Sequence, residues 1–237
     1  MKSLLSLFMV LIMYCPLSAD IIGDITVKII RVSFQNDDLD GTTGNGDFLY
    51  LTGLDLCNEY TIDPLPHDKF YFESQLMAVD NYFRAVSYGK FGIDLGNSRV
   101  YPDEDQSSYI LSNTMDNYHP YAEDDLHEQR LTELFKEAVE LAYFTDGIEI
   151  TSAEIVIIIH AGIGQDFSLP FLDPTPEDIP STYVDAEMLQ TYNNGPITIG
   201  NSTVEHGIIL PETQNHLFYD IAESMFSTSS TPCEYQF

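Results

Sequence analysis

Histidine, carboxylate and cysteine side chains are the groups here suited to metal binding or acid–base chemistry. The 237 residues hold six His, 38 Asp+Glu and three Cys. The histidines are His67, His119, His127, His160, His206 and His216. No two stand four apart, the spacing that sets two imidazoles on one helix face for zinc. His127-Glu128-Gln129-Arg130-Leu131 begins like the zinc motif H-E-x-x-H, but Leu131 stands where the second ligand belongs. No Cys pair has metal spacing, and neither a G-x-S-x-G elbow nor a phosphate-binding Gly-rich loop occurs. His160 ends an apolar run and leads into Ala161-Gly162-Ile163-Gly164-Gln165-Asp166, a place where a general base can sit. The same residues also suit a structural histidine whose ring nitrogens are satisfied by loop backbone.

The segment Asn36 to Asp47 carries the most specific pattern. Counted from Asn36, oxygen side chains fall at positions one, three, five and twelve (Asn36, Asp38, Asp40, Asp47), with Gly41 at six. That is the calcium-loop template, with Asn in place of Asp at the first position and Asp in place of Glu at the last. Hard oxygens on a loop that glycine can bend suit Ca²⁺, so these four are the candidate metal ligands. A strand precedes the loop where a helix would be expected, and a solvated turn rich in Asp, Asn and Gly has the same letters.

These residues must be positioned by regular elements. Ile25 to Phe34 reads as a β-branched strand entering the Asn36–Asp47 loop, with Phe48 to Leu51 a short strand or a return. Pro64, Pro66, His67 and Asp68 set up a helix start. Phe72, Leu76, Val79, Phe83 and Val86 then predict one apolar helical stripe ending near Gly89. Ile93 to Tyr101 reads as a strand, and residues 102–125 as an acidic, Tyr-rich loop. A second helix is predicted from Asp125 to Tyr143, with Leu131, Leu134, Phe135, Ala138, Leu141 and Ala142 on its inner face. Ala153 to Ala161 is almost solidly apolar, the mark of a strand buried on both faces. Asp173 to Pro180 reads as a surface loop, and Val204 to Leu210 as the last strand before Pro211. Strand alternating with helix predicts an α/β domain with helices layered on a sheet.

Composition excludes several classes. With 44% apolar and 12% aromatic residues the chain can bury a sizeable core, so a disordered tail is ruled out. Lys+Arg is 9, for a formal net charge of −29, and such a surface repels phosphate backbones and anionic lipid. Nucleic acid is therefore not an expected partner. Residues 1–19 read as a secretory signal peptide: Lys2, an apolar run from Leu4 to Leu17, then Pro16, Ser18 and Ala19 as a cleavage region. The run is short for a membrane anchor. The expected location is secreted or periplasmic, with no membrane attachment after cleavage. Residues 20–237 form the expected domain. Cys57 and Cys233 either pair in that oxidising compartment or stay as two thiols.

In chain order the pieces resemble immune-inhibitor-A-type secreted metallopeptidases (peptidase family M-six). Val27 to Gln35 followed by Thr42-Thr43-Gly44-Asn45-Gly46 resembles the start of that family's catalytic domain. His67 to Glu73 and Asn81 to Lys90 resemble its first helix, with a Tyr-Arg-x-Val-Ser-x-Gly-like ending matched by Phe83 to Gly89. Ile157 to Gln165 resembles its His-Ala-Gly-x-Gly-Gln strand end. Asp178-Ile179-Pro180-Ser181 and Gly207 to Thr213 resemble its later landmarks. The resemblance runs from about residue 25 to 213. It implies a zincin-like architecture, a twisted mixed sheet with packed helices, with Val204 to Leu210 near a groove for an extended peptide. It also implies zinc-dependent proteolysis, which needs an H-E-x-x-H helix after Thr213. No such motif occurs, so no zinc ligand transfers to this chain.

Two explanations of that departure stand: a unit cut before its catalytic helix, or a descendant that lost its zinc site. The 237 residues alone are expected to be inactive as a peptidase. Zinc enters only with ligands from further sequence, and a protein or peptide substrate only with a complete site. The alternative is a non-catalytic, acidic, calcium-binding extracellular module. A third reading is a hydrolase built on His160.

Overall fold

The computed structural model describes residues 22–37, 39, 41–50, 65–121, 123–166 and 175–213. The signal-peptide segment and both Cys57 and Cys233 lie outside them. Nine strands are found among the described residues: β1 (Gly23–Ser33), β2 (Phe91–Ile93), β3 (Arg99–Tyr101), β4 (Tyr109–Ile110), β5 (Glu154–Ile163), β6 (Thr182–Val184), β7 (Ile197–Ile199), β8 (Ser202–Val204) and β9 (Gly207–Thr213). Four α-helices accompany them: α1 (Lys69–Val86), α2 (Met115–Tyr118), α3 (His127–Asp146) and α4 (Ala186–Asn193). The main sheet runs β2-β1-β5-β9-β6, with β3 and β4 also alongside β1. All pairs in it are parallel except β6 with β9. β7 and β8 form a separate hairpin. This is a mixed α/β architecture, as the alternation of patterns predicts.

The β-strand period of two sorts the sheet's residues between two cores. On one face Ile30, Val32, Val156, Ile158 and Ile209 pack under α3 through Leu131, Leu134, Phe135, Ala138, Val139 and Ala142. On the other, Val27, Ile29, Ile159 and Ala161 pack against Phe72 and Leu76 of α1. β5, between β1 and β9, is covered on both faces, as its solid apolar run requires. Each fully buried large side chain of this kind stabilises the fold by roughly 1.5–3 kcal/mol.

Local chemistry sets the helix ends. Asp68 accepts a hydrogen bond from the Tyr71 amide at 3.1 Å and caps α1. Asp185 does the same for α4, accepting from Glu187 N and Met188 N, each at 2.9 Å. Gly147, in the left-handed region at φ 68°, ends α3.

Four expectations are corrected. The buried face of α1 is Phe72, Leu76 and Asp80, while Val79 and Val86 are exposed. The helix turns Asp80 inward because its carboxylate accepts the Ile93 amide at 2.7 Å and pairs with Arg84 at 2.9 Å. Residues 93–101 are not one strand: Asp94 accepts from Gly96 N and Asn97 N and makes a turn between β2 and β3. Within the expected surface loop, Asp178 and Ile179 are buried, at 1% and 0% exposure. The last strand among the described residues is β9, reaching Thr213, so Pro211 lies inside it. Pro211 cannot donate to the ladder, and the β5–β9 register shifts between His160 and Ile163.

Candidate functional site

The parallel strands β1, β5 and β9 deliver Ser33, His160 to Ile163, and Leu210 to Thr213 to one edge of the sheet, where α/β folds build their sites. His160 falls on the α3 face and is wholly buried. Its Nδ1 lies 2.8 Å from the Ala161 carbonyl oxygen, and its ring meets Phe34 edge-on at 6.0 Å. Burial pushes its pKa down to about 4, against opposing contributions from the Ala161 and Ile179 backbone and Asp166. The ring is therefore neutral at pH 7. Among the described residues no hydroxyl hydrogen-bonds it, so the described geometry offers no nucleophile for it to activate. The arrangement supports the structural role over the general base.

A second histidine has an ionic partner that sequence reasoning missed. Glu212 on β9 faces the α1 side, and its Oε1 lies 2.7 Å from His67 Nδ1, with both side chains at 0% exposure. A carboxylate oxygen can only accept, so Nδ1 carries the proton. Oε1 also accepts the Leu49 amide at 2.8 Å, and Oε2 accepts the Gly162 amide at 3.1 Å. Gly162 sits at φ +91° in the shifted stretch of β5, where a Cβ would stand 2.8 Å from Met115 Cε. The glycine therefore lets the β5 backbone turn an amide toward Glu212. His67 also stacks on Tyr71 at 4.4 Å. Nearby, Arg31 is fully buried and donates to the carbonyls of Tyr101, Pro102, Glu104 and Asp105. Burial lowers the Arg31 pKa and pushes that of Tyr50 up to about 12, with the Arg31 charge pulling Tyr50 the other way. This closed network ties loops to strand ends; neither Glu212 nor His67 is open to a substrate.

The expected calcium ligands are only partly placed. Asn36 and Asp47 are exposed, and Asp38 and Asp40 lie outside the described residues. It is Asp37 that turns inward: Oδ1 accepts the Leu39 amide at 3.1 Å, while Oδ2 is buried without a hydrogen-bond partner among the described residues. The loop is pinned from across the fold. Asp178 accepts Thr43 N at 2.7 Å and Thr43 Oγ1 at 2.5 Å, and the Glu177 amide donates to the Gly41 carbonyl at 2.9 Å. Among the described residues no group of three or more His, Cys, Asp or Glu is arranged to hold a metal ion. His127 begins α3, its Nε2 lies 2.9 Å from the Pro120 carbonyl oxygen, and its ring meets that of His119 at 4.0 Å, tilted by 38°. The partial zinc motif there is an ordinary helix start, and the described residues do not fit a zinc centre.

The open feature is the sheet edge. The antiparallel strand β6 pairs with β9 through Thr182↔Ile209, Tyr183↔Ile208 and Val184↔Gly207. Among the described residues no strand pairs with its other side. Val184 points into the core, and Tyr183 is 59% exposed beside His206. A cleft of about 730 Å³ opens between α3, β6 and α4. A smaller one, about 340 Å³, lies between α4, Gly195-Pro196 and Glu205-His206, and Tyr183 lines both. Of the stretch Val204 to Leu210, expected near a groove, Gly207 to Ile209 of β9 is flanked on both sides by β5 and β6, and among the described residues β6 is the strand left unpaired on its outer side. Three residues of β-branched and aromatic text inside a polar stretch were too short to reveal that strand.

No family model matches this chain, and no curated protein matches it. No helix among the described residues is long and apolar enough to cross a membrane.

Proposed function

We propose that the chain is a secreted, metallopeptidase-like domain of zincin type that holds an extended peptide along β6. The observation that carries this reading is the antiparallel edge strand β6 beside β9, with clefts on either side of Tyr183. An extended peptide adds to such an edge through main-chain hydrogen bonds, and pockets beside it take alternate side chains. A mixed sheet with helices on both faces is also what the metallopeptidase resemblance implies. Peptide hydrolysis is not a function of these residues, because the H-E-x-x-H motif is missing from the sequence. Incubation of the full chain with unstructured peptides, with and without added Zn²⁺, tests this. Saturable binding without cleavage is expected. Zinc-dependent cleavage, or no binding of any extended peptide, contradicts it.

The calcium-binding module is the second reading, favoured by the buried Oδ2 of Asp37 in the Asn36–Asp47 loop, which has no hydrogen-bond partner among the described residues. A cation bound only by the folded state raises the melting temperature. An unchanged melt at millimolar Ca²⁺ would remove this reading.

A further inference from the structure

The larger cleft at β6 has a charge character that specifies its occupant. Glu128 of α3, and Asp185 and Glu187 at the start of α4, line it together with Thr182 and Tyr183 of the edge strand. Among the described residues no Lys or Arg lines it. Among the described residues the Glu128 carboxylate accepts one long hydrogen bond, 3.3 Å from the Tyr192 hydroxyl. Asp185 is committed to capping α4, and Glu187 is exposed with its backbone amide already capped. Like charges lining one cleft repel, and a cation placed among them relieves that repulsion, an effect that solvent screens because Glu128 and Glu187 are exposed. The cleft also opens on backbone that can pair with an incoming strand, so main-chain docking and side-chain charge would act at one place.

We propose that β6 selects extended peptides carrying a Lys or Arg whose side chain enters the Glu128–Asp185–Glu187 cleft. This rests on the peptide-docking reading above. The occupant is set by charge complementarity: a basic side chain is drawn in, and an acidic one at the same position meets three carboxylates. The net charge of −29 adds long-range steering for cationic peptides, but a field spread over the whole surface gives no preference for one position in a peptide.

Three labelled peptides of β-prone sequence, identical except for Lys, Gln or Glu at the central position, are titrated into the full chain, with binding read by fluorescence anisotropy. The Lys peptide is expected to bind about tenfold tighter than the Gln peptide, and the Glu peptide weakest. The double variant Glu128→Gln/Glu187→Gln is expected to bring the Lys and Gln peptides within about twofold of each other. Both residues are exposed, so the fold tolerates the change. A control, Glu73→Gln/Glu140→Gln, removes the same charge from half-exposed positions outside the cleft and is expected to keep the preference. Equal binding of all three peptides overturns the basic selectivity while leaving edge docking intact. So does a preference that the control weakens as much as the cleft variant. Absence of binding by all three overturns the docking reading and this inference with it.

Discussion

His160 and Glu212 show how differently two buried polar side chains at one sheet edge are held. Glu212 lies within hydrogen-bond distance of three nitrogens, Leu49 N, Gly162 N and His67 Nδ1, whereas His160 is kept neutral by burial. The histidine has a consequence for stability. Its folded pKa, about 4, lies below the unfolded value of 6.5. The unfolded chain therefore binds more protons between those values. The stabilisation is complete above pH 6.5 and is lost progressively as pH falls toward 4. Between pH 7 and 5 this single group lowers the unfolding free energy by about 2 kcal/mol. Denaturant melts of wild type and His160→Gln at both pH values check it: the variant is expected to lose that much less on acidification. Equal losses would mean the ring is reached by water. At this scale the sequence was half legible. His160 stood out because it ends an apolar run. The His67–Glu212 pair did not, because its partners are 145 residues apart and neither breaks a local pattern.

Among the elements, long segments with strong periodicity were the readable ones. β1, α3 and β5 were expected near their observed limits, since each carries enough apolar residues to define a face. Short elements set by single hydrogen bonds were not: β2 and β3 are separated by the Asp94 turn, and the inner face of α1 is redirected by Asp80. β6, α4 and β7 lie in residues 181–203, for which no element was expected, and β8 ends at Val204, where the last strand was expected to begin. The close contact of β9 with α3 also depends on one residue. A Cβ at Gly207 would stand 2.4 Å from Phe135 Cζ and 2.9 Å from the Val156 carbonyl oxygen. Neither neighbour is free to retreat, since Phe135 is fully buried and Val156 is in the central strand. Gly207→Ala is expected to destabilise the fold by about 1–3 kcal/mol through overpacking. Because β6 hangs on β9 at Gly207, the variant is also expected to weaken peptide binding. A thermal melt at or above that of wild type would contradict the packing account.

For the molecule as a whole, charge and topology point to the same surface. The chain carries a large excess of carboxylates, and the larger cleft beside β6 is lined by three of them. The alternation of strand and helix patterns led to a mixed α/β fold, but sequence order did not reveal that β6 lies outside β9. The central claim is that β6 is a docking edge for extended peptide, and amide hydrogen exchange measures it directly. With saturating Lys-containing peptide, slowed exchange is expected within Thr182 to Val184, while β5 stays unchanged because it is already buried. Unchanged exchange in β6 with a bound peptide, or protection confined to another surface, would contradict it.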